Sequence, residues 1–125
     1  MDKLAGDLIN QLDTLDLATS SFDFFVEIRK SNDNGGNEHT IKAIDSIDVI
    51  EEERECLLLI CPHDEPIEIS SEIRNQIKNI PENYTVYACY EINLDGGLAK
   101  VKIPVNGFKE NSERSEFYAV CGLNK

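Results

Sequence analysis

Five apolar residues and a closing thiol follow Glu55 in unbroken order, Cys56, Leu57, Leu58, Leu59, Ile60, Cys61, and Pro62 ends the run. A buried helix normally needs ten or more residues, so a run this short that stops at a proline reads as a strand covered on both faces. Such a strand requires a neighbour on each side and an apolar layer above and below. It therefore belongs near the centre of a sheet, and the rest of the chain has to supply those neighbours.

Period-two patterning supplies several of them. In FDFFVEI, Phe22, Phe24, Val26 and Ile28 alternate with Asp23, Phe25 and Glu27, which predicts a strand over 22–29 with one buried face and Phe25 as the odd residue on the polar side. SNDNGGN at 31–37 contains residues that tolerate positive φ, and EHTIKAI then resumes an extended pattern, so a hairpin leads to a strand over 38–44. Ile41, Ile44, Ile47 and Ile50 recur every three positions. That spacing fits neither helix nor strand and predicts a break near Asp45-Ser46, leaving 45–53 ambiguous. YTVYACYEI, LAKVKI and EFYAVCG predict strands over 84–92, 98–103 and 116–121, with a turn at Asp95-Gly96-Gly97 and a polar loop before the last strand. Pro104 cannot donate a ladder hydrogen bond, which places it at a strand end or a sheet edge.

Two segments carry helical spacing. Leu4, Leu8, Leu12 and Leu15 line one face of residues 2–18, with Asp2 able to cap the first turn. Ile69, Ile73, Ile77 and Ile80 form a second stripe around a helix over 70–79 that Pro81 stops. Both stripes read as core packing. The expected order α-β-β-β-α-β-β-β describes an α+β fold: one globular domain over 1–125, with a mostly antiparallel sheet of about six strands and two helices packed on it. A length of 125 residues with 41% apolar content suits a single core. No apolar run approaches the ~20 residues that span a bilayer, and the first residues do not resemble a secretion signal, so a cytoplasmic location is expected. Cys56, Cys61, Cys89 and Cys121 mostly lie within strand-like runs and read as reduced thiols rather than a disulfide framework.

Chemistry-bearing patterns are sparse. CPHDEP, Cys61 to Pro66, brings a thiol, an imidazole and carboxylates together. A nucleophilic cysteine needs a base and a setting that stabilises thiolate, whereas Asp64, Glu65 and Glu68 would raise its pKa. A zinc site would need about four ligands, and the other histidine, His39, lies in a different segment. The stretch reads foremost as the loop that ends a strand. Phosphate-binding and nucleophile-elbow glycine motifs are absent from the sequence, and the glycine pairs occur at turn positions. No catalytic residue, metal or cofactor is assigned, and an enzyme is not expected.

Charge is the informative feature. The net charge is −12, and residues 45–72 hold ten acids against the single base Arg54. The acids flank the apolar strand at both ends, and Asp45, Asp48, Glu51, Glu52, Glu53, Glu55, Asp64 and Glu65 are the candidate partner-binding residues. Such a field disfavours nucleic acid and anionic membranes, which need Lys and Arg to neutralise phosphate. It favours a basic protein partner, whose encounter it would steer. The leading expectation is a small acidic inhibitor of a basic protein: an immunity protein against a nuclease-type toxin, or a polyanion mimic that blocks a nucleic-acid-binding protein. Two other classes stand beside it. One is a small thiol enzyme or redox protein using Cys61 and His63; the other is an adaptor or structural subunit that binds through apolar surface. Charge that serves only solubility would explain the same composition.

Overall fold

The computed structural model describes residues 3–15, 21–31, 37–60 and 65–122. Eight strands and two helices follow one another as α1 (Ala5–Leu12), β1 (Phe22–Ser31), β2 (Asn37–Ile50), β3 (Glu55–Ile60), β4 (Glu68–Ile69), α2 (Ser71–Ile77), β5 (Thr85–Leu94), β6 (Gly97–Pro104), β7 (Gly107–Asn111) and β8 (Glu116–Gly122). The α+β expectation stands, but the sheet is larger and mixed rather than a six-stranded, mostly antiparallel one. Its order is β6-β5-β3-β2-β1-β8-β7, with β4 paired to β1 off this path. Two of the pairings are parallel, β1 with β8 and β3 with β5. β3 reaches β5 through β4 and α2, and β8 reaches β1 only after the chain has passed through every other strand, routes that alternation along a strand does not reveal.

The ambiguous stretch at 45–53 resolves as a strand with a bulge. β2 runs through the expected break, and its register against β3 shifts between Ile44 and Ser46. One extra residue reverses the side-chain alternation. As a result Ile44 and Ile47, three positions apart, both pack on the core, whereas Ile41 on the other face is 51% exposed. The bulge also lets β2 serve two halves of the sheet, its first part pairing β1 and its second part pairing β3.

Those halves curl toward each other. The sheet's two edge strands, β6 and β7, are joined by only Val105 and Asn106, so the edges must lie close at that point. Asn106 fastens the crossing to β8: its N–H donates to the Val120 carbonyl at 2.7 Å and its Oδ1 accepts from the Gly122 N–H at 2.6 Å. Lys3 closes the other side, donating to the Val105 carbonyl at 2.8 Å and accepting from the Val86 N–H at 2.9 Å. The enclosed core joins Phe24, Val26, Phe117 and Ala119 from one half to Cys56, Leu58, Val86 and Ala88 from the other. Phe24 and Phe117 are fully buried with ring centroids 5.5 Å apart, and each such ring stabilises the fold by roughly 1.5–3 kcal/mol.

Helix α1 is shorter than the leucine spacing suggested. Leu8 and Leu12 are buried on it and Leu15 in the turn beyond, but Leu4 is extended and pairs with Thr85. The Asp7 carboxylate accepts the Leu4 N–H at 2.9 Å, so the helix starts at Ala5. The expected cap at Asp2 and the helix beyond Leu15 fall outside the described residues, as does most of the 31–37 loop. Helix α2 matches its expectation closely: Ser70 caps it by accepting the Ile73 N–H at 3.3 Å, and Ile77 and Ile80 are buried. Two strands were not expected, β4 and β7. The first is only two residues long, and the second lay in what reads as a polar loop because its residues are half or fully exposed.

Candidate functional site

The β2–β3 hairpin carries most of the acidic segment. Its stem is rigid: Cys56, Leu57 and Leu58 are buried, and Ile47 and Val49 pack against the core. Its tip is the turn Glu51–Arg54, in which the Arg54 N–H donates to the Glu51 carbonyl at 3.2 Å. Arg54 adopts a φ of 57°, the left-handed region that a non-glycine residue enters at some cost, and its carbonyl accepts the Thr85 N–H at 3.0 Å. That bond ties the tip to β5. Glu51, Glu52 and Glu53 are all exposed.

Glu55, where β3 begins, is largely covered and meets a cation from the sheet edge. Lys102 Nζ donates to its two carboxylate oxygens at 2.8 and 3.0 Å and stands 3.7 Å from Glu53. The same ammonium lies 5.4 Å from the centre of the Tyr87 ring. The hydrogen bond to Glu55 raises the Lys102 pKa. Glu51 and Glu52 have no such partner among the described residues.

The candidate acids do not form one patch. Asp45 sits at the bulge, where its Oδ1 accepts from the Ser46 hydroxyl at 3.2 Å. Five residues of strand, Ser46 to Ile50, separate it from Glu51, so the six steps span roughly 20 Å at about 3.3 Å per residue. Asp48 lies between them, half-buried and opposite Leu57. Glu65 is exposed on the Asp45 side, where the Ile67 N–H donates to the Ile44 carbonyl at 2.7 Å. The structure therefore gathers Glu51, Glu52, Glu53 and Glu55 at one end of the hairpin and leaves Asp45 and Glu65 at the other. Asp64, Cys61 and His63 lie outside the described residues.

The three described thiols are buried. Burial, with a smaller push from Asp48, drives the Cys56 pKa up to about 12, and burial alone does the same for Cys121. Cys89 is also raised, chiefly by burial. None of the three is set up as a thiolate nucleophile. No metal-binding cluster of His, Cys, Asp and Glu occurs among the described residues. No helix among them is long and apolar enough to cross a membrane.

A second constellation was not anticipated. Glu27, on the face of β1 opposite the core, is the buried charged residue of the described chain at 4% exposure. Lys109 from β7 reaches its Oε1 at 2.5 Å, Arg29 bonds Oε2, and His39 Nδ1 stands 3.5 Å from Oε2. Burial by itself would raise the Glu27 pKa, but the hydrogen bonds and charges of Lys109 and Arg29 outweigh it and bring the carboxyl down to about 2. Beside it Phe25 stacks on Tyr118 with centroids 5.6 Å apart, and Lys109 lies 5.2 Å from the Tyr118 ring centre. The sequence signal was Phe25, the apolar residue on the supposed polar face of β1. It marks that face as covered, and the same cover buries Glu27.

Compared with known protein families, with curated proteins and with solved structures, the chain matches none.

Proposed function

We propose that this chain is a small acidic binding protein that inhibits a basic partner, of the kind an immunity protein presents to a nuclease-type toxin or a polyanion mimic presents to a nucleic-acid-binding protein. The observation that carries the proposal is the tip of the β2–β3 hairpin. Three consecutive carboxylates, Glu51 to Glu53, are exposed on a turn whose stem is fixed in the core and whose carbonyl at Arg54 is bonded to β5. A rigid stem keeps the charges in place, so little ordering entropy is lost when they meet Lys or Arg on another protein. The overall charge of −12 adds a long-range field of the same sign.

The test begins with affinity capture from the source cells, followed by a nuclease assay of the captured protein with and without this chain. Stoichiometric inhibition is expected. Replacing Glu51, Glu52 and Glu53 with Lys should then slow association by roughly ten- to a hundredfold at low salt, and the difference should shrink near 1 M salt, where the Debye length is ~3 Å. Association indifferent to both salt and charge reversal would refute the hairpin as the contact.

The thiol-enzyme reading uses Cys61 with His63, and the described cysteines, buried with raised pKa values, do not serve it. Iodoacetamide at pH 8 should leave Cys56, Cys89 and Cys121 unmodified in the folded protein. A turnover abolished by Cys61→Ser and by His63→Ala would replace the binding proposal. The adaptor reading needs a contiguous apolar surface; the large exposed hydrophobics among the described residues are Leu4, Ile41, Tyr90 and Leu98, of which Tyr90 and Leu98 stand on the paired strands β5 and β6 and Ile41 on β2.

A further inference from the structure

The link that closes the sheet is also its most reactive stretch of backbone. Val105 and Asn106 alone join β6 to β7, and Gly107 follows. When glycine follows asparagine, the glycine nitrogen can attack the side-chain amide carbon, because no Cβ shields it and the backbone between them turns freely. Asn106-Gly107 is the one such pair among the described residues. Asn10, Asn75, Asn79 and Asn83 stand before Gln11, Gln76, Ile80 and Tyr84, whose side chains crowd the nitrogen.

The fold leaves this pair open and prepares it. Asn106 is exposed, so water reaches its amide. A Cβ built on Gly107 would meet no atom within 4 Å, so the space beside the attacking nitrogen is free. Asn106 Oδ1 accepts the Gly122 N–H at 2.6 Å. That oxygen is where negative charge develops when the amide carbon is attacked, and a fixed N–H binds an oxyanion more strongly than a neutral amide oxygen.

We propose that Asn106 is a site of spontaneous deamidation in the folded protein, and that the product loosens the closure of the sheet. The Gly107 nitrogen bonds to Asn106 Cγ, the Cγ–Nδ2 bond breaks, and the displaced amide proton leaves with Nδ2 as ammonia by way of water. Water then opens the cyclic imide at either carbonyl, and the Gly107 nitrogen takes back a proton. Opening at Cγ leaves aspartate; opening at the main-chain carbonyl leaves isoaspartate. In isoaspartate the backbone runs through Cβ and Cγ, so the link gains an atom and the group that met Gly122 becomes part of the main chain. The pairing of Gly107 with Val120 cannot then hold together with the Asn106 clasp.

The experiment holds the full chain at about pH 8 and 37 °C, folded and, in parallel, unfolded in urea, with trypsin digestion at intervals. The peptide Ile103–Lys109, IPVNGFK, reports this asparagine alone, and electron-transfer fragmentation separates isoaspartate from aspartate. Expected in the folded chain is conversion at Asn106 faster than at Asn75, Asn79 or Asn83 by roughly tenfold or more. Gly107→Ala should slow it by a similar factor and keep the fold, since the added methyl group meets nothing. Amide exchange at Phe108 to Asn111 should quicken in the isoaspartate fraction, separated by its added charge. An Asn106 that stays intact in the folded chain while the unfolded chain converts would overturn the proposal, with the clasp acting as a shield. Equal rates in wild type and Gly107→Ala would overturn it as well, and unchanged exchange in β7 would overturn the loosening.

Discussion

The two halves of the sheet solve the same local problem with different outcomes. In each, a lysine on the edge strand reaches over a tyrosine on the next strand to a glutamate on the third: Lys102, Tyr87 and Glu55 along β6, β5 and β3, and Lys109, Tyr118 and Glu27 along β7, β8 and β1. Edge strands with unpaired backbone groups invite association, and a charged residue on each discourages it. The halves differ in what else surrounds the carboxylate. Glu55 meets Lys102 beside the open turn of exposed glutamates, whereas Glu27 is shared by Lys109, Arg29 and His39 beneath the Phe25–Tyr118 stack. The same pair of groups thus centres on a carboxylate that water still reaches, 13% exposed, on one side and on a 5% exposed carboxylate shared by three half-exposed side chains on the other. Surface pairs contribute little, and breaking a buried one is costly.

Removing the carboxylates should expose that difference most strongly. Glu27→Ala leaves Arg29, Lys109 and His39 facing one another without an anion, so a loss of about 2 kcal/mol is expected, a fall of roughly 6–12 °C in Tm for a chain of this size. The half-exposed cations can recover water, which holds the loss below that of a fully buried pair. Glu55→Ala should cost less than about 1 kcal/mol by the same urea or thermal measurement. Equal losses would show that burial is not what separates the two halves. Lys substitution of all three tip glutamates should stay within about 0.5 kcal/mol of wild type, since no packing is disturbed.

Acid gives a second, independent handle. The Glu27 carboxyl is held at about 2 against an ordinary 4.5, so the folded state binds its proton less tightly than the unfolded chain does. The resulting stability is fully present above about pH 4.5 and is lost as the pH falls toward 2. The stability gap between wild type and Glu27→Gln should therefore be level above about pH 5 and close between about 4.5 and 2. A gap that stays level from about pH 5 down to about pH 2 would show that the Glu27 carboxyl is not held below its ordinary range.

The reach of the sequence follows the range of the interactions. Cys56 to Ile60 announced a central strand because burial on both faces is written into consecutive residues, and Ser70 with Ile77 and Ile80 fixed α2 because caps and stripes are local. The isoleucines at 41, 44, 47 and 50 correctly signalled an irregularity at Asp45-Ser46, but a bulge and a break leave the same trace in one strand. Register and direction were out of reach. The parallel pairing of Phe25 with Tyr118 is set by residues more than ninety positions apart, and it is this pairing that creates the cover over Glu27. The acidic tip was legible as composition, but the separation of Asp45 from Glu51 was not, because it depends on β2 continuing past its bulge as far as Ile50.

The smallest effect concerns the lysine of the exposed triad. Lys102→Met keeps a stem of similar length over Tyr87 and removes the cation that meets Glu55 and Glu53. Because Glu55 keeps more contact with water than Glu27 does, losing Lys102 should leave the urea midpoint of unfolding close to that of wild type, and added salt should erase any difference that remains. Lys109→Met, by contrast, takes a partner from a buried carboxylate and should destabilise measurably more. Binding should respond in the opposite order. Removing Lys102 uncovers two glutamates beside the hairpin tip and makes the local field more negative. Association with nona-arginine at low salt should then quicken by about twofold, while the dissociation rate changes little. A lysine whose removal leaves both the fold and the association rate untouched would show that the field at the tip is already saturated by Glu51 and Glu52, and that Lys102 serves only to keep the β6 edge from pairing with another chain.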